Sequence, residues 1–69
     1  MFVQAEVPSI DNEEFAKWWA LANNNGFTIE VDHAGDYIRI TGQDVSIEKV
    51  DLLRKEVQLY NPHSFFSFS

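Results

Sequence analysis

The segment "IDNEEFAKWWALANNNG" carries marks for both ends of one helix, and the rest of the chain has to fit around it. Asp11 stands as N-cap, and Glu14 falls at N3, where its carboxylate reaches back to the cap. Ile10 and Phe15 occupy N′ and N4 as a hydrophobic staple. Glu13 and Glu14 set negative charge at the positive end of the helix dipole. The spacing predicts a helix from about Asn12 to Asn24. Asn25 or Gly26 then accepts the left-handed conformation that ends it.

Alternating runs flank this helix. In "FVQAEV", Val3, Ala5 and Val7 share one face and Phe2, Gln4 and Glu6 the other, the pattern of a half-buried strand that Pro8 terminates. After the helix, "FTIEV" and "YIRIT" form a β-hairpin around "DHAGD", whose Gly35 suits a turn with positive φ. Phe27, Ile29 and Val31 then share a core side with Ile38 and Ile40. "GQD" breaks the chain, and Ser46 caps a second helix that runs to about Tyr60, where "NP" stops it. Val45 and Val50 supply a second staple. The tail "HSFFSFS" reads as a fourth strand, with Phe66 and Phe68 on one side and Phe65 on the other. A flexible aromatic tail over 61–69 is the alternative. The order β-α-β-β-α-β predicts a single α+β domain spanning 1–69. It is the ferredoxin-like arrangement, a four-stranded antiparallel sheet with two helices on one face.

Sixty-nine residues lie near the lower limit at which a hydrophobic core alone sustains folding. The absence of cysteine excludes disulfides, zinc-thiolate sites and thiol chemistry. Aromatic residues make up 14% of the chain, and large rings bury much area per residue, which suits a core built from few side chains. The N-terminus has no basic region followed by a long apolar run, and no segment approaches the ~20 apolar residues of a membrane span. The expectation is a cytoplasmic, complete small gene product with no membrane association.

Trp18 and Trp19 point about 100° apart on the first helix. Trp18 lies close to the centre of the apolar arc formed with Phe15, Leu21 and Ala22, whereas Trp19 sits at its rim and is expected to be half exposed. A rim tryptophan serves either to cover a sheet edge or as an interface anchor, a role in which tryptophan is over-represented. On the second helix Val50, Leu53, Val57 and Tyr60 make a core-facing stripe. Leu52 and Leu59 form another, about 160–180° from Val50, which one sheet face does not require.

Few chemistries fit. The first β-α loop, "VPSIDN", has neither the Cys-x-x-Cys of a copper chaperone nor the arginine and phosphate-cradling loop of an acylphosphatase. An open sheet face with Phe2, Tyr37 and Arg39 suggests base stacking, yet "DYIRIT" lacks the glycine-aromatic pattern of an RNA-recognition motif. A formal charge of −6, from eleven acidic against five basic side chains, also repels phosphates. His33 and His63 match no metal spacing, and no nucleophile is singled out. No cofactor, metal or catalytic residue is therefore expected.

The expected function is a small acidic, non-enzymatic protein-interaction module. It would bind a larger protein with a basic surface and not nucleic acid directly, as phage- or plasmid-type inhibitors of host nucleic-acid enzymes do. Expected apolar contacts are Trp19, Leu52 and Leu59. Glu13, Glu14, Glu48, Asp51 and Glu56 are the acidic ones, with Tyr37 and Phe2 on the open sheet face. The alternative is a homodimeric ligand-sensing or assembly module, in which the same surplus apolar surface pairs two copies.

Overall fold

A computed structural model describes residues 1–8, 11–32, 34 and 36–69. Six elements follow in the expected order: β1 (Val3–Pro8), α1 (Asn12–Asn25), β2 (Thr28–Asp32), β3 (Tyr37–Gly42), α2 (Ile47–Tyr60) and β4 (Phe65–Phe68). Every pairing is antiparallel and the strand order is β2-β3-β1-β4, consistent with a ferredoxin-like fold. The tail is thus a strand, held on β1 with Val3 opposite Phe68 and Glu6 opposite Phe65.

Both helix starts are capped by the expected residues. Asp11 Oδ1 accepts from the Glu14 N–H at 2.9 Å, and Ser46 Oγ accepts from the Lys49 N–H at 3.3 Å. Gly26 closes α1 with φ of +77°, a conformation that costs L-residues with a side chain. The reciprocal half of the first capping box does not form through Glu14 Oε2, which is buried with no hydrogen-bond partner. The Ile10 half of the staple, the Gly35 turn and His33 lie outside the described residues.

One core holds the elements together. Val3, Ala5 and Val7 project from β1 beside Ile38 and Ile40 of β3, and the same cluster takes Trp18 and Ala22 from α1 and Val50, Leu53 and Val57 from α2. Both helices therefore cover the same face of the sheet, α1 over β2 and α2 over β1. Val31 departs from the expected burial. It shares the helix side with Ile38, but β2 is an edge strand and Val31 stays 44% exposed. Trp18 is fully buried and meets Tyr60 edge-on at 5.7 Å. Its Nε1 has no hydrogen-bond partner. An indole that buries roughly 150–250 Å² contributes about 4–6 kcal/mol, more than the ~1–3 kcal/mol cost of one unpaired N–H, so the ring belongs inside.

Candidate interaction surfaces

The residues expected to make contacts are distributed over three surfaces. Leu52 and Leu59 lie on the outside of α2, beside its seam with α1. Two polar contacts mark that seam: Lys17 Nζ stands 3.8 Å from Glu56 Oε2, and Lys49 Nζ donates to Asn25 Oδ1 at 2.7 Å. Leu59 is 80% exposed, the largest value among the large apolar side chains of the described residues, while Leu52 is partly covered. Glu48, Asp51, Leu52, Lys55 and Glu56 line a shallow depression there. Glu13 is exposed on α1.

This helical face is close to electrically neutral. Arg54 Nη2 bonds Asp51 Oδ1 at 2.6 Å, Lys17 faces Glu56, and Lys55 stands in the depression itself. The acidic residues expected as contacts thus share this face with nearly as many cations. Glu14 is not part of it. Sitting one turn before Trp18, it turns inward and is half-buried, close enough to Tyr60 to raise the phenol's pKa. Loss of hydration is the larger cause of that shift.

Trp19 occupies a second surface. It lies two residues beyond Lys17, or about 200° round the helix, and so on the flank of α1 turned away from α2. It is 52% exposed, with its ring tilted against Phe15 at 6.2 Å.

The third surface is the open face of the sheet, and half of the net charge is there. Cross-strand partners share a face, so Glu30, Arg39 and Glu6 form one row, and Asp32 lies beside Tyr37 in the next. Arg39 Nε approaches Glu6 Oε2 at 3.3 Å and its Nη2 donates to the Tyr37 hydroxyl at 2.6 Å, with the guanidinium 5.5 Å from the Tyr37 ring. The Tyr37 phenol is raised above its ordinary pKa, first by its hydrogen bond with Asp32 and then by reduced hydration, against the opposing pull of Arg39. The Arg39 guanidinium is itself raised, chiefly by its bond to Glu6. With Asp36 at the hairpin, four carboxylates face one guanidinium, which accounts for half of the chain's charge of −6. Phe2 and Tyr37 do not form a stacking platform. Tyr37 pairs with Pro8 while Phe2 pairs with Ser69 at the other end of β1, some six residues or about 20 Å away.

Sequence reasoning passed over Glu6, Glu30 and Asp32 as a group. Their signal was present: in "QAEV" and "TIEVD" each carboxylate alternates with an apolar residue of the helix side, so all three must point away from the helices. Among the described residues no three His, Cys, Asp or Glu side chains are arranged to hold a metal ion. No helix among them is long and apolar enough to cross a membrane. No family model, curated protein or solved structure matches the chain.

Proposed function

We propose that the protein is a small, non-enzymatic interaction module of the cytoplasm that applies the carboxylate-rich face of its sheet to a basic surface of a larger protein. The observation that carries this reading is the row Glu30–Arg39–Glu6 with Asp32 and Tyr37 beside it, held on three paired strands. Neighbouring strands lie about 4.8 Å apart, so these groups form a compact, rigid array that needs little ordering on binding. A groove that normally takes phosphates has the matching charge. A nucleic-acid enzyme is therefore the favoured partner, and occlusion of its groove, as a phage- or plasmid-type inhibitor would achieve, is the favoured action.

Charge reversal tests this. With the protein as bait in a bacterial lysate, a captured nucleic-acid enzyme should elute with rising salt. Glu30→Lys with Asp32→Lys should weaken capture at least about tenfold, whereas Glu48→Lys with Glu56→Lys on α2 should leave it nearly unchanged. Capture lost through the α2 pair and retained by the sheet pair would overturn the assignment. The second reading, an assembly module built from two copies, is favoured by one observation, the uncharged and half-exposed β4 edge.

A further inference from the structure

β2 and β4 form the two edges of the sheet, and they differ in what they offer a neighbouring strand. Phe2 and Ser69 exchange both backbone hydrogen bonds, at 2.8 and 2.9 Å. Hydrogen-bonded and non-bonded pairs alternate along an antiparallel ladder, so Ser67 and Phe65 also direct their main-chain groups at β1. Phe66 and Phe68 direct theirs outward. Among the described residues no strand lies beside those groups. On the helix side the Phe66 and Phe68 rings stand 6.2 Å apart, and Phe68 is 50% exposed because α2 packs over β1 and not over the edge. The strand has no proline, lysine or carboxylate of the kind that normally blocks edge pairing.

We infer that β4 pairs antiparallel with β4 of a second copy, with Ser67 on the two-fold axis, joining two four-stranded sheets into one of eight strands. This register follows from two independent requirements. The outward main-chain groups belong to Phe66 and Phe68, so each Phe66 must meet the other copy's Phe68, which makes four backbone hydrogen bonds. Residues that face each other must also lie on the same side of the sheet, and Phe66 and Phe68 both lie on the helix side. The same pairing therefore clusters four phenyl rings on the helix side of the joined sheet, where each copy alone leaves Phe68 half exposed. Centring the axis on Phe66 instead would require Ser64 as a bonding partner, but its N–H is already given to Asn61 O at 3.0 Å.

β2 does not serve in this way. By the same alternation its outward groups belong to Ile29 and Val31, so the equivalent register sets Glu30 against Glu30 of the other copy. Like charges directly opposite each other destabilise a strand pair. The β4 edge brings only Ser67 against Ser67, and the nearest open-face carboxylate, Glu6, lies one strand back. A second copy thus fits one edge and is repelled from the other, which gives a closed dimer and not a growing ribbon.

The experiment uses the whole chain, and it is independent of the charged sheet face. Sedimentation equilibrium should show a monomer–dimer equilibrium that added salt strengthens. Phe68→Pro removes an outward N–H without touching the β1–β4 ladder, and it should weaken dimerisation at least about tenfold with an unchanged circular dichroism spectrum. In a non-bonded antiparallel pair the two Ser67 Cα atoms lie about 4.5 Å apart, within the range a disulfide spans. Because the chain has no cysteine of its own, Ser67→Cys should oxidise to a covalent dimer far faster than Thr28→Cys on β2. A wild-type monomer at concentrations up to about 1 mM would overturn the proposal. So would a folded Phe68→Pro variant that dimerises as before, or Ser67→Cys linking no faster than Thr28→Cys. If Phe68→Pro fails to fold, the cross-linking comparison decides alone. Loss of partner capture with the dimer intact would count against the proposed function and not against this edge.

Discussion

Gly42→Ala places a methyl group where the structure has no room for one. Gly42 ends β3 opposite Val3, on the helix side of the sheet, and a Cβ there would lie 2.7 Å from Phe27 Cδ1 and 2.9 Å from Val45 Cγ1. Neither neighbour is free to swing away. Phe27 is buried in the core, and Val45 packs against it just ahead of the α2 cap. Overpacking of this kind costs about 1–3 kcal/mol. A 69-residue domain has on the order of 3–10 kcal/mol of stability in total, so the loss is a large share of it. Urea unfolding followed by circular dichroism should show a midpoint lowered by roughly 1–3 M with an unchanged slope, taking a slope near 1 kcal/mol/M for a chain of this size. Phe27→Leu, which withdraws the closest atom, should be destabilising alone yet partly rescue Gly42→Ala. The coupling energy should fall within about 0.5–3 kcal/mol. A Gly42→Ala variant as stable as wild type, or strict additivity of the two changes, would refute the reasoning.

Other expectations follow from the caps and the phenols. Asp11→Ala and Ser46→Ala should each cost about 1 kcal/mol in thermal or urea unfolding, and because the two caps belong to different helices the double variant should show the sum within about 0.5 kcal/mol. Tyr37 and Tyr60 are both raised above the ordinary 10.0, Tyr37 first by its hydrogen bond with Asp32 and Tyr60 first by loss of hydration. Folding therefore favours the neutral phenols. Their contribution is complete below pH 10 and is lost as pH rises through the folded-state values, so stability should fall on the alkaline side. Absorbance titration should give tyrosine midpoints higher in native protein than in urea, with Tyr37→Phe removing one of them. Coincident midpoints in the two states would refute it.

The local features were legible from sequence because they depend on neighbours. Asp11 and Ser46 each act on an N–H three residues on, and the 100° helical step alone separates buried Trp18 from exposed Trp19. The fourth strand is less legible, since among the described residues its ladder partner is β1, at the other end of the sequence. Surface charge was the least legible feature. Whether Glu56 presents a free carboxylate depends on Lys17, 39 residues earlier, and whether Glu6 does depends on Arg39, 33 residues later. Glu14 is expected both to cap the helix and to make an outside contact, although its i, i+4 spacing from Trp18 aligns it with the core stripe.

The placement of β1 has a consequence for how the molecule assembles. It is the first strand in the chain and lies inside the sheet, yet its nearest ladder partner, Tyr37 opposite Pro8, is 29 positions on, and Phe68 opposite Val3 is 65 positions on. Both helices and the β2–β3 hairpin close over short distances, whereas the central strand waits for the far end. Such high contact order slows folding for a chain of this length. On the ribosome, residues 3–8 emerge first and acquire their second neighbour only when residues 65–68 have cleared the exit tunnel. Until then the nascent chain exposes an apolar strand with one side unpaired, and that interval is when it is most open to capture by chaperones or misassembly.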